Sequence, residues 1–154
     1  MVKIDNKVWQ HKNQLTDETE QSLAQLCQDK LVLFFYPRAN TPGCTTESNE
    51  FSARLDSFLA LNCQVVGVSA DSLKKQQNFK NKFDMKLSLI ADTDEILCQQ
   101  FGVIKEKKMY GKTFMGIERS TFLLNHEGEI LAEWRKVKVP GHVDTVLMHI
   151  KDIQ

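Results

Sequence analysis

Residues 31–36 read LVLFFY, six apolar residues without a break, and Pro37 ends the run. A strand with one wet face alternates apolar and polar residues, whereas an unbroken run of this length suits a strand buried on both faces. Such a strand needs covering layers on either side. "CQVVGVSA" and "LSLIAD" supply two more buried strands. Helical patterns fall between them. Phe51, Leu55, Phe58 and Leu59 share one helical face, which predicts a helix of about 18 residues from near Thr41–Gly43 toward Cys63. "DSLKKQQNFKNKF" predicts a second helix capped by Asp71 or Ser72. "DTDEILCQQFGV" predicts a short third one, with Asp92 or Thr93 at its cap and Gly102 at its end.

The flanks are less regular. Residues 1 to about 16 are polar and predict a hairpin or arm, and "TDETEQSLAQLCQ" predicts a helix capped by Thr16. Residues 103–117, "VIKEKKMYGKTFMGI", predict a basic, glycine-punctuated loop. "RSTFLLNHEGEILAEWR" reads as two strands around an Asn125–Gly128 turn, and "HVDTVLMHIKDIQ" as an amphipathic closing helix. Buried strands alternating with helices, then a hairpin and a helix, predict an α/β fold with a mixed central sheet and helices on both faces. Repeats and linkers are absent, so one domain over 1–154 is expected.

Charge narrows the functional classes. Lys plus Arg equals Asp plus Glu at 20 each, so no basic surface argues for nucleic acid. No apolar run approaches the roughly 20 residues of a membrane span, and "MVKIDNKVWQHKNQ" lacks the apolar stretch of a signal peptide. A cytoplasmic location is expected. The cysteines are Cys27, Cys44, Cys63 and Cys98, with no C-x-x-C pair. Zinc-ribbon and dithiol motifs are therefore disfavoured, and in a reducing compartment so is a disulfide framework. His11, His126, His142 and His149 show no metal-ligand spacing, so neither a metal nor a cofactor is expected. "YGKT", residues 110–113, is no phosphate-binding loop, because Glu106 stands where the glycine belongs.

Cys44 is placed differently from the other thiols. It follows the Pro42-Gly43 break, just after the central strand, in "FYPRANTPGCTTES". Seven residues before Phe51, it shares the core-facing stripe yet sits in the first helical turn. There, free backbone N–H groups and the helix dipole favour an anion, and a thiolate is the reactive form of cysteine. Thr41, three residues earlier, carries a hydroxyl short enough to reach a thiolate or an incoming oxygen. Pro37 aims the loop and can wall off water. A buried helix-start cysteine with an ordinary cap fits the local pattern equally well.

The stretch "FYPRANTPGCTTE" resembles the active-site signature of the peroxiredoxins, Pro-x-x-x-Thr/Ser-x-x-Cys, at Pro37, Thr41 and Cys44. In detail it is similar to the peroxiredoxin Q, or bacterioferritin comigratory protein, subfamily. "VVGVSADSLKKQQNF", "LIADTDEILCQQFGV" and "GIERSTFLLNHEGEI" follow in that subfamily's order. The resemblance implies a thioredoxin-like fold with extensions and a thiol-dependent peroxidase acting on hydrogen peroxide and organic hydroperoxides. Cys44 would be the peroxidatic cysteine, oxidised to a sulfenic acid, and Thr41 would hold the peroxide. Arg119 matches the active-site arginine and Glu47 the acid that orients it. Outside the resemblance, Arg119 reads as a surface charge, Glu47 as a first-turn acid, and Arg38 as a solvated loop cation or a further electrostatic contributor. The basic 103–117 loop would lie near the arginine and shape the peroxide entrance.

One departure matters. Many relatives carry a resolving cysteine five residues after the peroxidatic one, where this chain has Asn49. Cys63 would lie roughly 27 Å from Cys44 along the helix, and Cys27 roughly 20 Å away at the far end of the central strand. Cys98 reads as a packing residue, with a resolving role as the lesser alternative. The expectation is a one-cysteine mechanism in a monomer, with an external thiol as reductant: thioredoxin, or glutathione with glutaredoxin. Two other classes stay open from the residues. A cysteine hydrolase would need a histidine base beside Cys44, and a redox sensor would oxidise without turning over.

Overall fold

The computed structural model describes residues 2–154. Three strands form its parallel centre: β3 (Lys30–Phe35), β4 (Cys63–Ser69) and β5 (Ser88–Ala91). The sheet extends antiparallel at both edges. On one side stand β1 (Asn13–Leu15) and β2 (Glu20–Gln21), on the other β8 (Ser120–Asn125) and β9 (Ile130–Trp134), in the order β2-β1-β5-β4-β3-β8-β9. The unbroken apolar run lies in β3, one of the inner strands.

Side chains alternate across β3, as the pleat requires. Leu31, Leu33 and Phe35 enter one core, and Val32, Phe34 and Tyr36 the other. The first core is covered by α1 (Asn6–Trp9), α2 (Leu23–Leu26) and α6 (Ile96–Gln100). The second is covered by α3 (Pro42–Ala53), α4 (Leu55–Leu59), α5 (Leu73–Lys82) and α7 (His142–Asp152). Helices thus cover both faces. At the crowded centre, a Cβ on Gly67 would lie 2.7 Å from Phe34 Cζ and 2.8 Å from Leu89 Cδ2, so strand β4 carries no side chain there.

Four local expectations are corrected. The long helix after Pro42 is two helices, broken at Arg54, which caps both. Helix α2 is a single turn capped by Ser22, whose hydroxyl accepts from Gln25 N while the Gln25 side chain accepts from Ser22 N. Thr16 does not cap it, and its hydroxyl accepts from Leu89 N instead. Residues 104–117 are not a loop but a separate hairpin, β6 (Ile104–Met109) and β7 (Lys112–Ile117). Helix α6 starts after Glu95, whose φ is +58°, yet Asp92 still serves its end by accepting from Leu97 N and Cys98 N. No described helix is long and apolar enough to cross a membrane.

Candidate active site

Strand β3 delivers the chain to Tyr36, which is wholly buried, and exposed Pro37 turns it outward. Residues 38–41 then lead into α3, with Thr41 at the N-cap and Pro42 in the first turn, where its missing N–H costs nothing. Thr41 makes no side-chain cap bond. Its hydroxyl donates to the Arg38 carbonyl at 2.8 Å, which leaves the oxygen's lone pairs able to accept. Cys44 is 1% exposed and packs in the same core as Tyr36 and Phe51.

Arg119 arrives from the other side of β3. It sits just before β8, whose first residue, Ser120, is in register with Phe35. Its Nη2 donates to Cys44 Sγ at 3.3 Å and its Nη1 to Glu47 Oε1 at 2.7 Å. Glu47 lies one turn after Cys44 and is fully buried. One guanidinium thus bridges two groups on the same helix face. Gly43 makes room for it, since a Cβ there would lie 3.1 Å from Arg119 Nη2.

Electrostatics follow from this packing. Burial pushes the Glu47 carboxyl up to about 7, against the opposing pull of Arg119, and its Oε2 has no protein partner. Glu47 and Cys44 in turn hold Arg119 above its ordinary value, against the effect of burial. Burial also drives up the other thiols, Cys27 and Cys63 to about 12 each and Cys98 further. All four cysteines are free.

The predicted residues Cys44, Glu47 and Arg119 therefore meet. Thr41 and Pro37 flank them on the loop, and the Arg38 side chain is exposed. Two further residues stand near the site. Half-buried Lys107 reaches the site's field from the β6–β7 hairpin: burial and Arg119 lower its pKa, while Cys44 opposes them. His142 is buried against Phe51 and Trp134, its Nε2 2.7 Å from Thr121 Oγ1. Burial, then Arg119, lowers it to about 4. It is close to the site, but the ring nitrogen is engaged by Thr121. Lys107 lies in the basic 103–117 stretch that the resemblance places near the arginine, whereas His142 carries no local signal, because the fold alone brings it in. Among the described residues no group of three His, Cys, Asp or Glu stands where it could hold a metal.

The AhpC/TSA family model matches residues 4–133. Peroxiredoxin Bcp of Xanthomonas campestris is 49% identical over 137 residues, covering 89% of this chain and 86% of that protein. Peroxiredoxin Bcp of Bacillus subtilis is 47% identical over 123 residues, covering 80% and 78%. The chain belongs to the AhpC/TSA family. Within it, the chain is a peroxiredoxin of the Bcp, or Q, subfamily. Among solved structures, Peroxiredoxin Q of X. campestris matches with a TM-score of 0.93 at 44% identity, covering 99% of this chain and 96% of that one. Another X. campestris bacterioferritin comigratory protein structure, described for its alkyl peroxide reduction activity, matches at 0.92. The fold is thioredoxin-like, as the resemblance implied. The peroxiredoxin is a thiol-dependent peroxidase, with a peroxide as substrate and a thiol as reductant.

Proposed function

We propose that Cys44 is the peroxidatic cysteine of a one-cysteine peroxidase acting on hydrogen peroxide and organic hydroperoxides. The reading rests on one observation above all: a guanidinium that contacts the Cys44 sulfur and is itself fixed by Glu47. A positive charge at that distance favours anionic sulfur. The thiolate attacks the terminal peroxide oxygen, the S–O bond forms and the O–O bond breaks. The sulfur becomes a sulfenic acid, and the departing alkoxide or hydroxide takes a proton from water. Arg119 stabilises the negative charge as it moves from sulfur to the leaving oxygen. Thr41 accepts a hydrogen bond from the peroxide, Pro37 shields the loop, and Glu47 positions Arg119.

An outside thiol, thioredoxin or glutathione with glutaredoxin, then reduces the sulfenic acid. The placement of the other cysteines supports this route. Cys98 packs in the opposite core, across the sheet. Cys63 pairs with Lys30 at the far end of β3, roughly 20 Å along the strand from the Cys44 end, and Cys27 precedes β3 at that same end. Arg119 and Glu47 reach Cys44 from within one chain, which supports a single domain over residues 1–154 acting as a monomer. Four free thiols fit the reducing cytoplasm.

The test is a short pulse of one equivalent of hydrogen peroxide with a sulfenic-acid trap, followed by peptide mass mapping. The trap should label Cys44 alone. A Cys44–Cys98 disulfide would replace the one-cysteine route with a two-cysteine one, and an unmodified Cys44 would remove its peroxidatic role.

A further inference from the structure

A groove of about 690 Å³ runs between α5 and residues 38–40, and neither Cys44 nor Arg119 lines it. Its volume lies in the range that takes small ligands, roughly 300–1,000 Å³. Arg38, Lys75 and Lys82 give it three cations, and Asn40 and Asn78 add amides. Its one carboxylate, Asp71, is already engaged, accepting from Ala39 N and from the Ser69 hydroxyl at 2.7 Å each. Phe79 forms part of the lining and packs on Tyr36, which lies in the core of Cys44. The groove wall is also the loop leading into Thr41 and α3. Lys82 Nζ donates to Asn40 Oδ1 at 3.2 Å on the exposed surface, a contact that an incoming anion can replace.

Lys75 and Lys82 are seven residues apart on one face of α5, about 10 Å along its axis. An extended tripeptide spans about the same length. We propose that this groove binds the reductant, and that the reductant is a tripeptide-sized thiol with a carboxylate at each end. This rests on the external-thiol reading of Cys44. The end carboxylates meet Lys75 and Lys82, with Arg38 beside the loop, and the central thiol faces the residues that cover Cys44. The loop loosens and the bound thiolate attacks the sulfenic sulfur. An S–S bond forms, the S–O bond breaks, and the hydroxide takes a proton to leave as water. A second thiol attacks the mixed disulfide, releasing the Cys44 thiolate and a disulfide of the reductant.

Single-turnover kinetics test this. Cys44 is first oxidised with one equivalent of hydrogen peroxide and its sulfenic acid scored with a trap. Reduction is then timed with glutathione, with glutathione diethyl ester and with 2-mercaptoethanol. Glutathione should outpace its ester by about fivefold at low salt, as expected for two exposed charge contacts, and high salt should close the gap. Lys75→Gln/Lys82→Gln should abolish that preference while leaving the peroxide step and the 2-mercaptoethanol rate unchanged. Equal rates for glutathione and ester, or a preference that survives the double substitution, overturn the proposal. So does reduction by thioredoxin alone, which would make the occupant a protein. Failure to form a sulfenic acid at Cys44 registers before any thiol is added, and removes both the underlying reading and this one.

Discussion

Cys44 and Cys98 are both buried, at 1% and 0% exposure, and both stand in the first turn of a helix. Their neighbours have opposite charge. Cys44 receives a hydrogen bond from the Arg119 guanidinium. The Cys98 backbone donates to the Asp92 carboxylate, and that carboxylate adds to burial in pushing the thiol up. A helix N-terminus therefore does not by itself make a nucleophile. On the proposed reading the charge brought to the turn decides, and for Cys44 it comes from Arg119, just ahead of β8 and far along the chain.

Arg119→Leu should bring Cys44 toward the behaviour of Cys98. Removing one such donor costs about 100- to 1,000-fold in rate, and stopped-flow oxidation by hydrogen peroxide should show it. An unchanged rate would mean that the helix turn suffices. Glu47→Gln should act less strongly, through the guanidinium's orientation, slowing the peroxide step roughly 3- to 10-fold above pH 7. In the parent protein, protonation of Glu47 as pH falls through about 7 loosens its hold on Arg119. The rate should therefore drop with acidification there, and Gln should remove that step. Stability runs the other way. A carboxyl raised from 4.5 to about 7 stabilises the fold below pH 4.5 and loses that contribution as pH rises to 7. Glu47→Gln should accordingly lack this loss, worth roughly 3 kcal/mol, in denaturant titrations across that range. The smallest effect belongs to Cys98. Asp92→Asn keeps one acceptor for the α6 turn and loses the other, costing about 1 kcal/mol in thermal unfolding. Alkylation of Cys98 should stay slow, because burial remains; rapid labelling would show that the carboxylate alone keeps it quiet.

The sequence made the sheet legible because the runs in β3, β4 and β5 are apolar on both faces, rich in β-branched and aromatic residues, and too short for buried helices. Cys44 and its loop were legible because Pro37, Thr41, Pro42 and Gly43 each do a local job. The β6–β7 hairpin was missed because its strands are largely exposed and lysine-rich, so no alternation marks them. Its turn did leave a sign: Tyr110 and Gly111, at φ +52° and +75°, form a two-residue connection of the kind hairpins use. The break at Arg54 has no glycine or proline to announce it. Helix α2 was misplaced because Thr16 and Ser22 both look like caps, and only Ser22 has Gln25 three residues on. The Arg119 contact and the approach of His142 depend on strand order, which no local pattern encodes.

Gly43 is usually the kind of residue read as a hinge, but its φ is not among the positive ones. What it yields is a socket. Its missing methyl leaves the hollow that Arg119 Nη2 occupies, and the bond to Glu47 keeps the guanidinium from retreating. An alanine there would leave the backbone unstrained and still crowd the cation away from the sulfur. The residue ahead of Cys44 is thus constrained by a side chain from another part of the chain, and any larger residue at 43 asks the Arg119 guanidinium to give way.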